Sequence, residues 1–244
     1  MKPSWEEVGK NLHNIIPYKE KTPKYHESAY IDASARIIGG VVIGENSGIW
    51  PGAILRGDDG DVFVDKNVNI MDKAFLEAPK EKPVIVREGS LISHGAILHG
   101  CKIGKHVLVG IGSIILDNAE VGDYCIVAAG SLVPANSKIS PRSMVAGVPY
   151  KIVRKVTNEE TNELQQENAN VSMKARTYRA YLLETAKKER VQGPVGEKGK
   201  EVLFEIAPES TNETLETTME KAKNKLERKK KIKFQEIRFD VGDS

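Results

Sequence analysis

Two histidines and one glutamate in this chain have side chains that could bind a metal ion. His94 and His99 stand in the segment 93–101, and Glu77 precedes them. Two histidines and one carboxylate form a zinc-binding set that leaves an open position for water. Zinc lowers the pKa of such a water to about 7, which makes hydroxide available at neutral pH. The anionic Glu77 would make the metal a weaker Lewis acid, and iron(II) and manganese also accept this set.

A six-residue repeat surrounds these residues and predicts where their side chains lie. The residue four places after each repeated aliphatic is nearly always small, and a short fixed period of this kind indicates a solenoid. The repeated aliphatics, interrupted by two short breaks, are Ile31, Ile37, Ile43, Ile49, Leu55, Val64, Ile70, Leu76, Val86, Ile92, Leu98, Ile103, Val109, Ile115, Val121, Val127, Val133 and Ile139.

The period of six predicts a mainly β fold, because it matches no helical period. Three units make one triangular coil, the aliphatic and small residues face inward, and Gly, Asp or Asn take the corners. From about Thr157 to Arg190 the period changes, and the segment is rich in helix-forming residues. We therefore expect a parallel β-helix of hexapeptide repeats followed by C-terminal α-helices. The first helix should begin near Asn158, and its pattern allows an interruption near Asn168.

The expected domain organisation has four parts. These are an irregular lead-in (1–29), the β-helix (30–149), a C-terminal helix that packs on it (150–190) and a charged extension with a second helix (191–244). The extension ends in a basic run, which favours either a solvated helix face or contact with an acidic protein partner.

Composition narrows the class of protein. The chain has 36 Lys and Arg against 34 Asp and Glu, a net charge of +2, so we expect no nucleic-acid partner. No apolar stretch approaches the roughly 18 residues of a membrane span, and we expect neither a membrane segment nor a signal peptide. Cys101 and Cys125 lie in the repeat and are expected to be packed thiols, which favours a cytoplasmic location.

The repeat places Glu77 and His99 close together. Each follows a repeated aliphatic, Leu76 or Leu98, so the two should occupy equivalent places on successive coils, about 5 Å apart. His94 is too far along the wall to reach the same point, since five extended residues span roughly 15 Å. We expect His94 to act from a neighbouring subunit. Glu77 could instead pair with Lys73, Lys80 or Arg87.

Residues 30–155 resemble the gamma-class carbonic anhydrases and their relatives. The matching motifs are Trp50-Pro51, Arg56-Gly57-Asp58, Asn69-Ile70-x-Asp72, His94, Leu98-His99-Gly100-Cys101, Gly110-Ile111-Gly112-Ser113, Gly130-Ser131-Leu132-Val133-Pro134 and Gly147-x-Pro149.

The resemblance implies a left-handed β-helix, a homotrimer and zinc held by three histidines at a subunit interface. His99 and His94 fall on two of those ligands, and Glu77 takes the place of the third. Met71 replaces the glutamine of the Asn-Ile-Gln-Asp motif. The resemblance further implies that Arg56 and Asp58 form an ion pair across the subunit boundary. Asp59 falls where some members carry a carboxylate that is proposed to accept protons.

Three functions remain open from the sequence. The first is a metal-dependent hydro-lyase that hydrates carbon dioxide or a related small molecule, with Asp59 moving protons and Arg56 holding the interface. The second is an acyl-coenzyme A transferase or thioesterase of the hexapeptide-repeat type, which would use one histidine as a general base. The third is a non-catalytic trimeric scaffold or assembly subunit, which the replacements at Met71 and Glu77 favour.

Overall fold

Three β-faces wind around one apolar column in the computed structural model, which describes residues 14–191, with side chains as far as residue 184. The repeated aliphatics alternate with outward residues along each short strand, and those at the centre of the column, such as Leu55, Leu76 and Leu98, have no exposed surface. Most of the small residues four places later are buried in the same column.

Residues 14–191 form short strands and one helix, α1 (Asn158–Val191). The strands are β1 (Ile15–Ile16), β2 (Lys24–Tyr25), β3 (Tyr30–Ile31), β4 (Arg36–Ile43), β5 (Gly48–Ile49), β6 (Ile54–Val64), β7 (Asn69–Ile70), β8 (Phe75–Glu77), β9 (Val84–Val86), β10 (Leu91–Ile92), β11 (Ile97–His99), β12 (Lys102–Ile103), β13 (Leu108–Val109), β14 (Ile114–Ile115), β15 (Glu120–Val121), β16 (Ile126–Val127), β17 (Leu132–Val133), β18 (Lys138–Ile139), β19 (Ser143–Ala146) and β20 (Lys151–Lys155).

Each face of the solenoid stacks one strand from every coil. The face covered by α1, here the helix face, has the order β20-β19-β16-β13-β10-β7-β5-β3. On the second, here the site face, the start of β6 is followed by β8, β11, β14 and β17. On the third, here the charged face, the end of β6 is followed by β9, β12, β15 and β18. The pairing is parallel throughout these stacks, apart from the antiparallel pair β19–β20.

This architecture confirms the predicted mainly β fold, a left-handed parallel β-helix followed by a C-terminal helix. The lead-in contributes to the solenoid, since β1 and β2 both pair with β4. The second helix and the basic run of the extension lie outside the described residues. Within residues 14–191, no helix is both long enough and apolar enough to cross a membrane.

The corners explain part of the residue choice in the repeat. Gly44 is needed for close approach, because a Cβ there would lie 2.7 Å from the carbonyl carbon of Asp65. Several left-handed corners are held by larger residues, including Asn67 (φ 55°) and Tyr124 (φ 59°). Asparagine tolerates this conformation better than most residues, whereas tyrosine is uncommon there.

Helix α1 begins at Asn158, where the sequence predicts it. The Thr157 hydroxyl accepts a hydrogen bond from the Glu160 amide (3.2 Å), and Glu160 Oε2 accepts one from the Thr157 amide (3.0 Å). This reciprocal pair is a capping box. Two 2.7 Å hydrogen bonds from the Arg154 guanidinium lower the pKa of Glu160 to about 2.

The interruption expected near Asn168 is wrong, because α1 runs through it without a break. Asn168 is buried against the helix face, where it donates to the Asn67 carbonyl (2.9 Å). Buried Asn69 donates to the Asn168 side-chain oxygen and to the Ser172 hydroxyl, both at 2.9 Å. A polar stretch that the sequence suggests as a break is thus the contact that fixes the helix on the solenoid.

Candidate functional site

Three charged or ionisable side chains form a row across the site face. Arg56, Glu77 and His99 end corresponding segments of β6, β8 and β11, and the pairing register joins Arg56 to Glu77 and Glu77 to His99. Neighbouring strands lie about 4.8 Å apart. The row follows the buried column residues Leu55, Leu76 and Leu98, so its side chains point outward. Glu77 and His99 therefore occupy equivalent places on successive coils.

Arg56 lies between two carboxylates of its own chain. One terminal nitrogen of its guanidinium donates to Glu77 Oε1, and its Nε is 3.4 Å from Asp58 Oδ1. That Nε is buried and forms no hydrogen bond with any of the residues that the structure describes. Within this chain Arg56 and Asp58 are already neighbours, and the pair across a subunit boundary that the resemblance implies stays a prediction. Glu77 pairs with Arg56, a cation other than the three that the sequence suggests.

His99 is oriented by a carboxylate from the next coil. Its Nδ1 contacts Asp117 Oδ1, and the other oxygen of Asp117 accepts a 2.6 Å hydrogen bond from Lys82. The hydrogen bonds from Lys82 and His99 lower the pKa of Asp117 despite its partial burial. A carboxylate that holds one ring nitrogen of a histidine fixes its tautomer and presents the other nitrogen to a ligand. His99 Nε2 is thus the nitrogen available to a metal ion or a proton.

His94 lies apart from the row, at the corner between the helix face and the site face. Its side chain is about half exposed, and its Nε2 is 3.4 Å from Asp72 Oδ2. Glu77 and His99 are brought together by the fold of a single chain, but His94 does not join them. Among the described residues, no group of three or more histidine, cysteine, aspartate or glutamate side chains could hold a metal ion.

The segment that carries Asp58 and Asp59 is held from the lead-in by Lys21. The Lys21 ammonium donates to the backbone carbonyls of Asp59 (3.0 Å) and Gly60 (2.7 Å), and it is 3.0 Å from a carboxylate oxygen of Asp61. Asp59 is exposed. Its carboxylate therefore stands at the surface of a segment whose backbone is fixed.

Met71 lies on the helix face rather than in the row. It packs against a cluster formed by Tyr30 and Trp50 of the solenoid and Ala175 of α1. Its role in this chain is therefore in the attachment of the helix.

The site face also carries an outward apolar column, which consists of one residue from each successive strand. Its members, Ile54, Phe75, Ile97, Ile114 and Leu132, are partly exposed and follow one another in the pairing register. The equivalent column on the charged face includes Lys102, Glu120 and Lys138. The residues of the row thus stand beside an apolar surface that the described residues of one chain leave uncovered.

The repeat and the coil geometry define a hexapeptide-repeat protein, and a family model described as bacterial transferase hexapeptide (six repeats) matches residues 100–135. A carbonic anhydrase of Geobacillus kaustophilus is 42% identical over 166 residues, which cover 68% of this chain and 91% of that protein. The carnitine operon protein CaiE of Citrobacter koseri is 40% identical over 163 residues, which cover 67% of this chain and 83% of CaiE. The chain belongs to the gamma-carbonic-anhydrase-like hexapeptide-repeat family that contains these relatives.

A solved structure with the same fold carries a different functional assignment. The crystal structure of a Bacillus cereus protein, classed provisionally as an acetyltransferase, matches with a TM-score of 0.68 at 37% identity. The match covers 68% of this chain and 97% of that one. Hydration and acyl transfer are therefore both represented by the names of similar proteins.

Proposed function

We propose that this protein is a metal-dependent lyase that hydrates carbon dioxide or a related small electrophile at the interface between subunits of a homotrimer. Glu77 and His99 of one subunit, with His94 of the partner subunit, would hold a divalent cation, with zinc preferred over iron(II) or manganese. One observation carries the proposal: Glu77 and His99 are register neighbours, and Asp117 holds His99 with Nε2 available. The similarity to a carbonic anhydrase supports it.

The donor chemistry of the row fits a divalent cation. A carboxylate and an imidazole on adjacent strands supply two donors from one chain, and zinc catalytic sites use three protein donors. The third donor then has to come from another chain, because His94 lies at a different place in its own. When bound, the cation would supply Lewis acidity and lower the pKa of a coordinated water.

Other residues of the chain would support this reaction through position and charge. Asp117 would keep the tautomer of His99 that presents Nε2, and Lys82 donates a hydrogen bond to the other oxygen of Asp117. Asp59 is exposed on a segment fixed by Lys21, where it could accept a proton and release it to solvent. Arg56 and Asp58 would form an ion pair at the subunit interface, so that neither charge is enclosed there without a partner.

The three faces of the solenoid differ in what they can bind, which supports self-association through the site face. Helix α1 covers the first face, and charged side chains line the third. The site face presents its apolar column beside the proposed donors. Hexapeptide-repeat β-helix proteins are typically trimers, and burial of this column against a second copy would bring His94 of the partner subunit toward the row.

The interface can be tested with a matched pair of isoleucines. Ile97→Asp places a charge in the apolar column, and Ile85→Asp places one at an outward position of the charged face. We expect Ile97→Asp to convert a trimer to monomers in light scattering, while Ile85→Asp leaves the trimer intact. If Ile97→Asp remains a trimer, the subunits do not associate through the site face.

A subunit-mixing experiment tests the shared site. His94→Ala and His99→Ala should each abolish metal binding and metal-dependent hydration, while His26→Ala, which removes an exposed histidine bonded to Ser28, should change neither. Each mixed cyclic trimer contains one intact interface of three. Because random mixing also yields trimers of a single inactive variant, coexpression of the two variants should restore about a quarter of the wild-type activity. No recovery in verified mixed trimers would contradict donors from two subunits.

Acyl transfer is a second candidate, and the contact between His99 and Asp117 favours it. A histidine oriented by a carboxylate can act as a general base on a hydroxyl, an amine or water. This function predicts affinity for coenzyme A or acyl-coenzyme A in calorimetry, and turnover that persists after treatment with a chelator. Metal-dependent hydration without such affinity would exclude it, and a trimer with neither activity would leave the scaffold function.

A further inference from the structure

Arg56 is shared unequally between two carboxylates. Its terminal nitrogen bonds to Glu77, whereas Nε faces Asp58 at 3.4 Å without forming a hydrogen bond. The guanidinium carbon also lies 6.0 Å from the centre of the Phe75 ring. Asp58 Oδ1 accepts a hydrogen bond from the Asp59 amide (3.1 Å) but none from the guanidinium beside it, so Asp58 can still accept one from Arg56.

If Glu77 also binds a divalent cation, Arg56 and that cation compete for its carboxylate. Arg56 carries a positive charge that would repel a cation at Glu77. Either the side chain of Arg56 moves away from Glu77, or the cation binds beside a positive charge. The strand register fixes the backbone positions of Arg56 and Glu77, so the side chain of Arg56 is the part that can change partner.

We propose that Arg56 is an internal competitor for Glu77 that sets the affinity of the metal centre, and that binding of a divalent cation transfers Arg56 from Glu77 to Asp58. This inference rests on the proposed metal site. It makes Arg56 and Asp58 positioning residues that determine metal affinity, in addition to any contribution to the subunit interface.

The inference predicts opposite effects for the two residues. Arg56→Gln removes the competitor, and we expect zinc to bind about tenfold more tightly, which corresponds to about 1.4 kcal/mol. Asp58→Asn removes the alternative partner of Arg56, so Arg56 stays on Glu77 and zinc should bind several-fold more weakly. In the Arg56→Gln background, Asp58→Asn should have little further effect.

The double variant separates exchange of partners from long-range charge. If Asp58 acted only by attracting the cation through space, its replacement would weaken binding equally in both backgrounds, and the two effects would be additive. Arg36→Gln is the matched control for lost positive charge, since Arg36 is an arginine of the same sheet that pairs in register with Ile54 rather than with Glu77. It should change the affinity little.

The experiment measures zinc affinity by competition with a chromogenic chelator, using full-length protein whose oligomeric state is checked by light scattering. Tighter binding in Arg56→Gln together with a non-additive double variant supports the inference. Unchanged or weaker binding in Arg56→Gln, or additive effects, overturns it, while loss of binding in Glu77→Ala would still support the proposed function. Absence of zinc binding in the wild type and all variants overturns both.

Discussion

Replacement of Asp117 by asparagine should weaken metal binding without disturbing the fold of the row. The carboxylate accepts hydrogen bonds from His99 and from Lys82 at 2.6 Å, and an amide keeps the shape but loses the charge that favours both contacts. Loss of a carboxylate behind a metal-binding histidine typically costs about 10–100-fold in affinity or activity. Because tenfold corresponds to about 1.4 kcal/mol, we expect a loss of about 1.4–2.8 kcal/mol in binding free energy.

The assay is chelator competition for zinc, with Glu120→Gln as the matched control. Glu120 accepts a 2.8 Å hydrogen bond from Lys102 on the charged face, so this variant breaks an equivalent carboxylate–lysine pair that contains no histidine. Lys82→Met should cost much less than Asp117→Asn, because Asp117 stays ionised at neutral pH without its lysine. Wild-type affinity in Asp117→Asn, or an equal loss in Glu120→Gln, would refute the role assigned to Asp117.

Three further outcomes concern stability. The pKa of Asp117 lies below its ordinary value of 3.8, so Asp117 stabilises the folded state above that pH and loses this contribution as the pH falls further. In Asp117→Asn, the free energy of unfolding should therefore decrease less steeply at acidic pH than in the wild type. Thr157→Ala removes the cap of α1 and should lower the unfolding free energy by about 1 kcal/mol, with faster amide exchange in the first helical turn. Asn69→Ala leaves Asn168 and Ser172 with fewer partners and should cost about 1–3 kcal/mol in denaturant unfolding; wild-type midpoints in these last two variants would contradict the contacts described.

The fold and part of the row were predictable because a solenoid converts sequence spacing into position. Once Leu76 and Leu98 are recognised as equivalent, the neighbouring Glu77 and His99 must fall on adjacent strands. The same arithmetic does not reach Asp117, because Leu98 pairs with Ile115 and the equivalent of His99 is therefore Leu116. Asp117 lies one position further along, and only the side-chain contact shows that it meets His99.

Other parts of the site depend on contacts that no period encodes. Lys21 comes from the lead-in, outside the repeat, so nothing in its spacing predicts that it holds the backbone of Asp59 and Gly60. The partner of Glu77, by contrast, could have been found from the repeat, because Arg56 follows Leu55 as Glu77 follows Leu76 and the two pair in register. Asn168 was misread since helix propensity alone disfavours asparagine, whereas here its burial and hydrogen bonds decide.

The pairing of Arg56 with Glu77 has a consequence for the order of assembly. A lone carboxylate enclosed between protomers would be strongly unfavourable, whereas a carboxylate neutralised by a guanidinium can be enclosed at a much lower cost. In the proposed homotrimer, three protomers could therefore associate around the row before any cation binds. The divalent cation would then bind after the subunits have assembled, and the ions present in the surrounding solution would determine which metal occupies the site.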